Sequence, residues 1–227
     1  MPPPDRAAAH AAAQALGLPL SDGQADQLLG HLKLLQQWNA AYNLTAVRDP
    51  AAMWLQHVVD CMAAVPALTR ALPSFCAGTT RPRVLDVGSG AGLPGVVWAV
   101  LLPQLDVTCI DTVGKKVAFI RQVSGALQLG NLQVRHARVE QLREPPFHLI
   151  TSRAFASLAD FTRLTLHLLA PQGRWLAMKG KAPTDELAEL GWPATMFHVE
   201  PLAVPGLQAE RCLVWLKNDT PTTPMAG

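Results

Sequence analysis

Four glycines crowd into one turn, Val84-Leu-Asp-Val-Gly-Ser-Gly-Ala-Gly-Leu-Pro-Gly95, directly after a run of aliphatic residues. A buried strand that ends in such a turn lets a ligand approach the backbone closely, because Gly88, Gly90, Gly92 and Gly95 tolerate positive φ and carry no Cβ. In open α/β sheets the carboxyl end of the first strand is where ligands bind. Two cofactors compete for the turn. Gly90, Gly92 and Gly95 fit the letters of the dinucleotide fingerprint G-x-G-x-x-G. Asp86, two residues before Gly88, argues against it, since a carboxylate repels a pyrophosphate. The same carboxylate suits the ammonium of a methionine moiety, and Asp-x-Gly-x-Gly-x-Gly is the pattern of enzymes that use S-adenosylmethionine (SAM). Asp111, at the end of the next strand, can accept bonds from a ribose diol of either cofactor. A dinucleotide enzyme also needs more chain than the single mononucleotide-binding unit found here.

The acceptor side is read from the loop after the fourth strand. Thr151-Ser-Arg-Ala-Phe155 stands where amine-directed base methyltransferases carry an Asn/Asp-Pro-Pro-aromatic loop, and no cysteine follows a proline as pyrimidine carbon-5 methylation would need. An acceptor that requires neither deprotonation nor covalent attack fits, and the neutral lone pair of guanine N7 is one. Positioning then matters more than a base, and cationic side chains that bond the O6/N7 edge of guanine are the natural recognition groups. Arg138, Arg153, Lys179 and Arg211 all fall near predicted strand ends. Phe155 suits either base stacking or the core. Lys115, Lys116 and Arg121 suit either a phosphate-contacting face or a solvated helix.

These side chains need a scaffold, and the pattern supplies one. Helices are expected over 7–16, from Ser21 onward and over 51–65, so residues 1–80 read as a helical extension. From Pro82 strands and helices alternate: strands at 83–87, 105–110, around 132–134, 147–151 and 175–178, with helices at 94–102, 114–128, 157–169 and 184–190. Two final strands, 195–199 and 211–216, form an antiparallel edge. This is a doubly wound, mostly parallel α/β sheet over 81–218, with a loose tail at 219–227. The 227 residues suffice for a sizeable core. With 49% hydrophobic and 16% charged residues, the composition excludes a disordered chain. Mean hydropathy is +0.16, yet charges or prolines interrupt every apolar run short of the ~18 residues a membrane crossing needs. The start makes a poor signal peptide, so a cytoplasmic protein is expected. Four scattered cysteines without a C-x-x-C pair exclude a zinc ribbon, and no metal is expected. Net charge is +2, but residues 111–181 hold 11 basic and 4 acidic side chains, which favours an anionic partner such as RNA.

Together these stretches closely resemble the bacterial RsmG (GidB) family of 16S ribosomal RNA guanine-N7 methyltransferases, which are Rossmann-like class I SAM-dependent enzymes. The resemblance runs from about Leu28 to Lys217. It rests on Trp38-Asn-Ala-Ala-Tyr-Asn-Leu-Thr-Ala-Val-Arg-Asp-Pro50, His57-Val-Val-Asp60, the glycine loop, Gly114-Lys-Lys116, Arg138-Val-Glu140, Ser152-Arg-Ala-Phe-Ala-Ser157 and Met178-Lys-Gly180. It implies that Gly88, Leu93, Val139, Glu140 and Arg153 contact SAM and that Asp111 holds its ribose. It further implies that Arg138, Lys179 and Arg211 form a basic pocket for 16S rRNA in the 30S subunit, and that Arg153 and Lys179 carry the catalytic positions of a monomeric enzyme. Two departures are visible: His148 replaces a usual Asp, and Thr112 a usual Ser. Rival readings are a SAM enzyme with a DNA or small-molecule acceptor, and a non-catalytic RNA-binding module that kept the loop.

Overall fold

The computed structural model describes residues 3–153, 155, 157–190 and 194–219. Residues from 220 onward, most of the expected tail, lie outside this set.

The chain opens with α1 (Arg6–Ala15) and α2 (Asp22–Tyr42). Ser21 caps α2 in a reciprocal box, its side chain accepting from the Gln24 N–H while the Gln24 side chain takes the Ser21 N–H. The single helix expected over 51–65 is instead α3 (Pro50–Met53), a π-helical turn at Trp54–Val59 and α4 (Asp60–Ala63), followed by α5 (Val65–Ala71). A π turn takes up one more residue than an α turn and so rotates everything after it, a device common at functional sites. The helical stretch 50–74 is apolar enough on average and long enough to cross a membrane, but Asp60, Pro66 and Arg70 interrupt it, as expected from the sequence, and 78% of its most apolar window is buried inside the protein. It is a core helix.

The remainder alternates: β1 (Arg83–Val87), α6 (Gly95–Leu101), β2 (Asp106–Asp111), α7 (Gly114–Ala126), β3 (Leu132–His136), β4 (Phe147–Ser152), α8 (Leu158–Thr165), β5 (Leu169–Lys179), α9 (Thr184–Ala188), β6 (Ala194–Pro201) and β7 (Cys212–Asn218). The sheet order is β3-β2-β1-β4-β5-β7-β6. The first five strands are parallel, and β7 runs antiparallel to both β5 and β6. The closing pair therefore wraps around so that the last strand in sequence lies inside the sheet. Strand β5 begins well before the expected 175, because Leu169 pairs with Phe147 across an irregular register before Arg174 pairs with Leu149.

Alternation along the strands builds two cores. Val84, Val107, Leu149, Leu176 and Leu213 face one cluster, which also contains Leu28, Leu35, Val58, Met62 and Leu68 from the N-terminal helices. Leu85, Ile110, Ile150, Trp175 and Val214 face the other, with Leu158 and Phe161 of α8. The helical extension is thus continuous with the sheet's own core, and α2 lies directly on α6 and α7.

Candidate functional site

The carboxyl ends of β1, β2, β4 and β5 converge on one edge of the sheet. The turn after β1 is built as its glycines imply, with Gly88, Gly90 and Gly92 at φ of 68°, 59° and 77°. Internal bonds fix it. Ser89 Oγ donates to the Asp86 carbonyl at 2.7 Å, and the Gly95 N–H donates to Asp86 Oδ2 at 2.9 Å. The Gly90 N–H donates to Asp111 Oδ2 at 2.9 Å. From the far side, His31 of α2 reaches the turn, its Nε2–H donating to the Ala91 carbonyl at 2.9 Å.

Beside this turn lies a cavity of about 380 Å³ walled by Gly88, Asp111, Thr112, Arg138, Val139, Glu140, Phe155 and Leu164 among others. Across the edge, a second cavity of about 390 Å³ is walled by Gln56, His57, Asp60, Arg153, Met178, Lys179, Gly180 and Arg211. The structure brings Gly88, Asp111, Val139 and Glu140 together in the first cavity and Arg153, Lys179 and Arg211 in the second. It does not bring Arg138 to the second: that guanidinium is largely exposed at the first, 3.9 Å from Glu140. Asp86, Gly90 and Leu93 are on neither wall. Asp86 and Leu93 are buried behind the turn, and Gly90 acts through its bond to Asp111. Phe155 packs on Phe161, ring centroids 5.5 Å apart, in the first cavity. Lys116 turns inward to 3.8 Å from Asp111. His148 is structural, accepting the Arg83 N–H at 3.0 Å.

The second cavity is organised by residues that were not among the sequence candidates. Asp60, 4% exposed at its side chain, bridges two guanidinia: Oδ1 accepts from Arg211 Nε at 2.7 Å and Oδ2 from Arg153 at 3.3 Å. Arg153 also donates to the Gln56 carbonyl at 2.9 Å and lies 3.5 Å from His57 Nδ1. Because a guanidinium only donates, Nδ1 is the acceptor, and the His57 Nε2–H donates to Thr45 Oγ1 at 2.8 Å. Lys179 is held by both carboxylate oxygens of Glu186 at 2.9 Å. His57 and Asp60 stand three residues apart on one helical face, a signal present in the sequence but shared with many core helices. Nothing in the sequence places Glu186 on Lys179.

Burial sets the protonation states. It lowers His31 and His57 to about 4, the Arg153 charge adding to the effect at His57, and it lowers His148 as well. It raises Asp86 to about 7, outweighing the Gly95 N–H and the charge of Arg153. Between about pH 4 and 6.5 an unfolded chain protonates histidines that the folded chain keeps neutral, so their contribution to stability rises with pH. Asp86 opposes them: from about pH 4 to 7 the folded state keeps a proton that the unfolded state has lost, so its contribution falls as pH rises. The histidines outnumber it, and stability should rise from pH 4.5 to 6.5. Asp86→Asn removes the opposing group and should steepen that rise by about one proton, ~1.4 kcal/mol per pH unit. Denaturant titrations at three pH values measure both slopes, and an unchanged slope in the variant contradicts the assignment.

The first cavity fits SAM on its own chemistry. Apolar Val139, Phe155 and Leu164 suit an adenine face, and Asp111 has lone pairs beyond those given to Gly90 and Val113. A Cβ on Gly88 would point into open space. Asp86 Oδ1 is a buried acceptor with no hydrogen-bond partner among the described residues.

Known proteins similar to this chain identify its family and its fold. The family described as rRNA small subunit methyltransferase G (GidB) matches residues 24–214. A ribosomal RNA small subunit methyltransferase G of Leptothrix cholodnii is 57% identical over 94% of this chain and 96% of its own length. One from Acidovorax sp. strain JS42 is 56% identical over 90% and 92%. Among solved structures, a putative class I SAM-dependent methyltransferase from Listeria monocytogenes superposes with a TM-score of 0.62 at 11% identity, over 88% of this chain and 70% of that one. The L11 methylase of Lactobacillus delbrueckii gives 0.51 at 14%, over 70% and 77%. At such identities the likeness is one of fold.

Proposed function

The chain belongs to the rRNA small subunit methyltransferase G (GidB) family, a SAM-dependent methyltransferase family, and from that premise we propose that it methylates N7 of a guanine in 16S rRNA on the 30S subunit, in the cytoplasm. The observation that carries the position is the state of the acceptor cavity. Asp60, the carboxylate on its wall, is occupied by two guanidinia, and His57 is neutral with both ring nitrogens engaged. Among the described residues the cavity wall thus presents cationic donors and no unengaged base. That environment suits an acceptor that attacks through a neutral lone pair and releases no proton.

SAM, when bound, supplies an electrophilic methyl group on a sulfonium. In this reading Asp111 holds the ribose, Gly88 admits the ligand to the backbone, and Val139 and Glu140 flank the adenine. Asp86 and Gly90 shape the turn from behind, with Leu93 packed beneath them in the core. Arg153 keeps Nε–H and one terminal N–H beyond those it gives to Gln56, His57 and Asp60, and these orient the guanine. Lys179 exchanges Glu186 for an RNA phosphate, and Arg211 contributes a second cationic contact. Arg138 belongs to the rim of the SAM cavity rather than to the guanine pocket. The test is methylation of 30S subunits from a strain lacking the modification, followed by mass mapping of the 16S rRNA. A single 7-methylguanine is expected, and a methyl group on an exocyclic amine or a pyrimidine overturns the position.

A further inference from the structure

Trp38-Asn-Ala-Ala-Tyr-Asn-Leu-Thr45 makes up part of the most distinctive stretch of the chain, yet none of its aromatic rings lies on the wall of either cavity. The structure shows what those rings build. His31, bonded to the glycine turn, lies 6.0 Å from Phe119 between ring centroids. Phe119 lies edge-on to Trp38 at 5.6 Å, and Trp38 is 5.2 Å from Tyr42. Four rings therefore run from the buried cofactor turn to the surface, and the last is 46% exposed. Tyr42, Val113 and Phe197 are the exposed large hydrophobic side chains among the described residues. Tyr42 and Val113 belong to one site, the meeting of the α2 C-terminus with the α7 N-terminus. There Lys115 Nζ donates to the Tyr42 carbonyl at 2.7 Å, and Arg48 donates to Asn43 Oδ1 at 3.0 Å. Neither cation has a carboxylate within ion-pair distance among the described residues, and nearby Asp49 is taken up in capping α3 through the Ala52 N–H. Thr112, next to Val113, lines the first cavity.

Building on the rRNA reading, we propose that Tyr42 is a docking platform on which an unpaired base of the substrate rRNA stacks, with Lys115 and Arg48 contacting the flanking phosphates. An exposed ring packed on its inner side against Trp38, at a tilt of 38°, and flanked by cations without a carboxylate partner among the described residues is an arrangement suited to single-stranded nucleic acid. A pure protein contact would leave two cations to be matched by carboxylates.

The test is steady-state methylation of 30S subunits by the full chain, with SAM affinity measured separately. Tyr42→Ala should raise KM for the subunit roughly tenfold, within the range of one lost base stack, at unchanged SAM affinity. Tyr42→Phe should stay within about threefold of the parent, because stacking needs the ring and not the hydroxyl. Lys115→Gln should lower the slope of log affinity against log salt by about one. Unchanged KM in Tyr42→Ala overturns the platform. So does a loss confined to SAM affinity, which would make the rings purely structural. Failure of the unsubstituted protein to methylate 30S subunits would instead overturn the rRNA reading.

Discussion

Asp60→Ala should reduce methylation of 30S subunits at least a hundredfold and lower the melting temperature by roughly 6–12 °C. The carboxylate is almost wholly buried and receives two guanidinia, Arg153 on one oxygen and Arg211 on the other. Removing it leaves two like charges facing one another with no counter-charge, the situation in which breaking a buried pair costs about 3–5 kcal/mol. Each arginine keeps about a quarter of its side chain exposed, so the low end, about 3 kcal/mol, applies. That converts to the stated shift for a chain of this size. The kinetic effect is separate. Arg153 loses one of three acceptors that fix its guanidinium, and a reacting geometry displaced by an ångström can cost a hundredfold. Asp60→Asn keeps an acceptor and the shape, so it should lose less activity than Asp60→Ala. SAM affinity should survive both changes, because Asp60 lines the other cavity. Full activity in Asp60→Ala would mean that the bridge does not position the acceptor arginine.

The contrast between what the residues disclose and what only the fold discloses is itself physical. The glycine turn was legible because positive φ needs glycine; Asp86 and Asp111 stood out by their offsets from it as candidate ligand contacts, and only the fold shows that they accept from the N–H groups of Gly95, Gly90 and Val113. The strands before the turn were legible because burial on both faces leaves continuous aliphatic runs. The acceptor cavity was only half legible. Its cations were visible as residues at strand ends, but their partners come from 60 and 186, distant in sequence and joined to Arg153, Arg211 and Lys179 only by the fold. The π turn at Trp54–Val59 has no period of its own that distinguishes it from an α-helix over six residues. The grouping of Arg138 with Lys179 and Arg211 came from the family resemblance, whereas its place beside Glu140 after the third strand is what the fold shows, at the first cavity. The place of β7 between β5 and β6 likewise depends on nonlocal pairing, so two closing strands read equally well as a simple edge hairpin.

Gly95→Ala should abolish measurable SAM binding, a loss of at least a hundredfold. Gly95 opens α6, and its conformation is not the reason that it is glycine, because its φ is not positive. The reason is space. A Cβ there would fall far inside contact distance of the Cys109 sulfur on β2 and 2.9 Å from Asp86 Oδ2. Neither neighbour can retreat, since both are wholly buried side chains on central strands, and interiors close-packed to this degree answer an added methyl by shifting backbone. The shift breaks the Gly95 N–H bond to Asp86 and with it the closure of the turn from Gly88 to Gly92 on which the cofactor cavity depends. Overpacking of this kind costs about 1–3 kcal/mol of stability, so the folded protein should persist and the binding defect should be measurable by calorimetry. A second substitution separates crowding from other causes. Cys109→Ala removes the nearer of the two obstructing atoms, so the Gly95→Ala/Cys109→Ala pair should recover part of the affinity that Gly95→Ala loses. The two changes should be coupled rather than additive, as expected of residues in contact. Additive losses in that cycle, or normal SAM affinity in Gly95→Ala alone, would show that the space between α6 and β2 does not govern the shape of the turn.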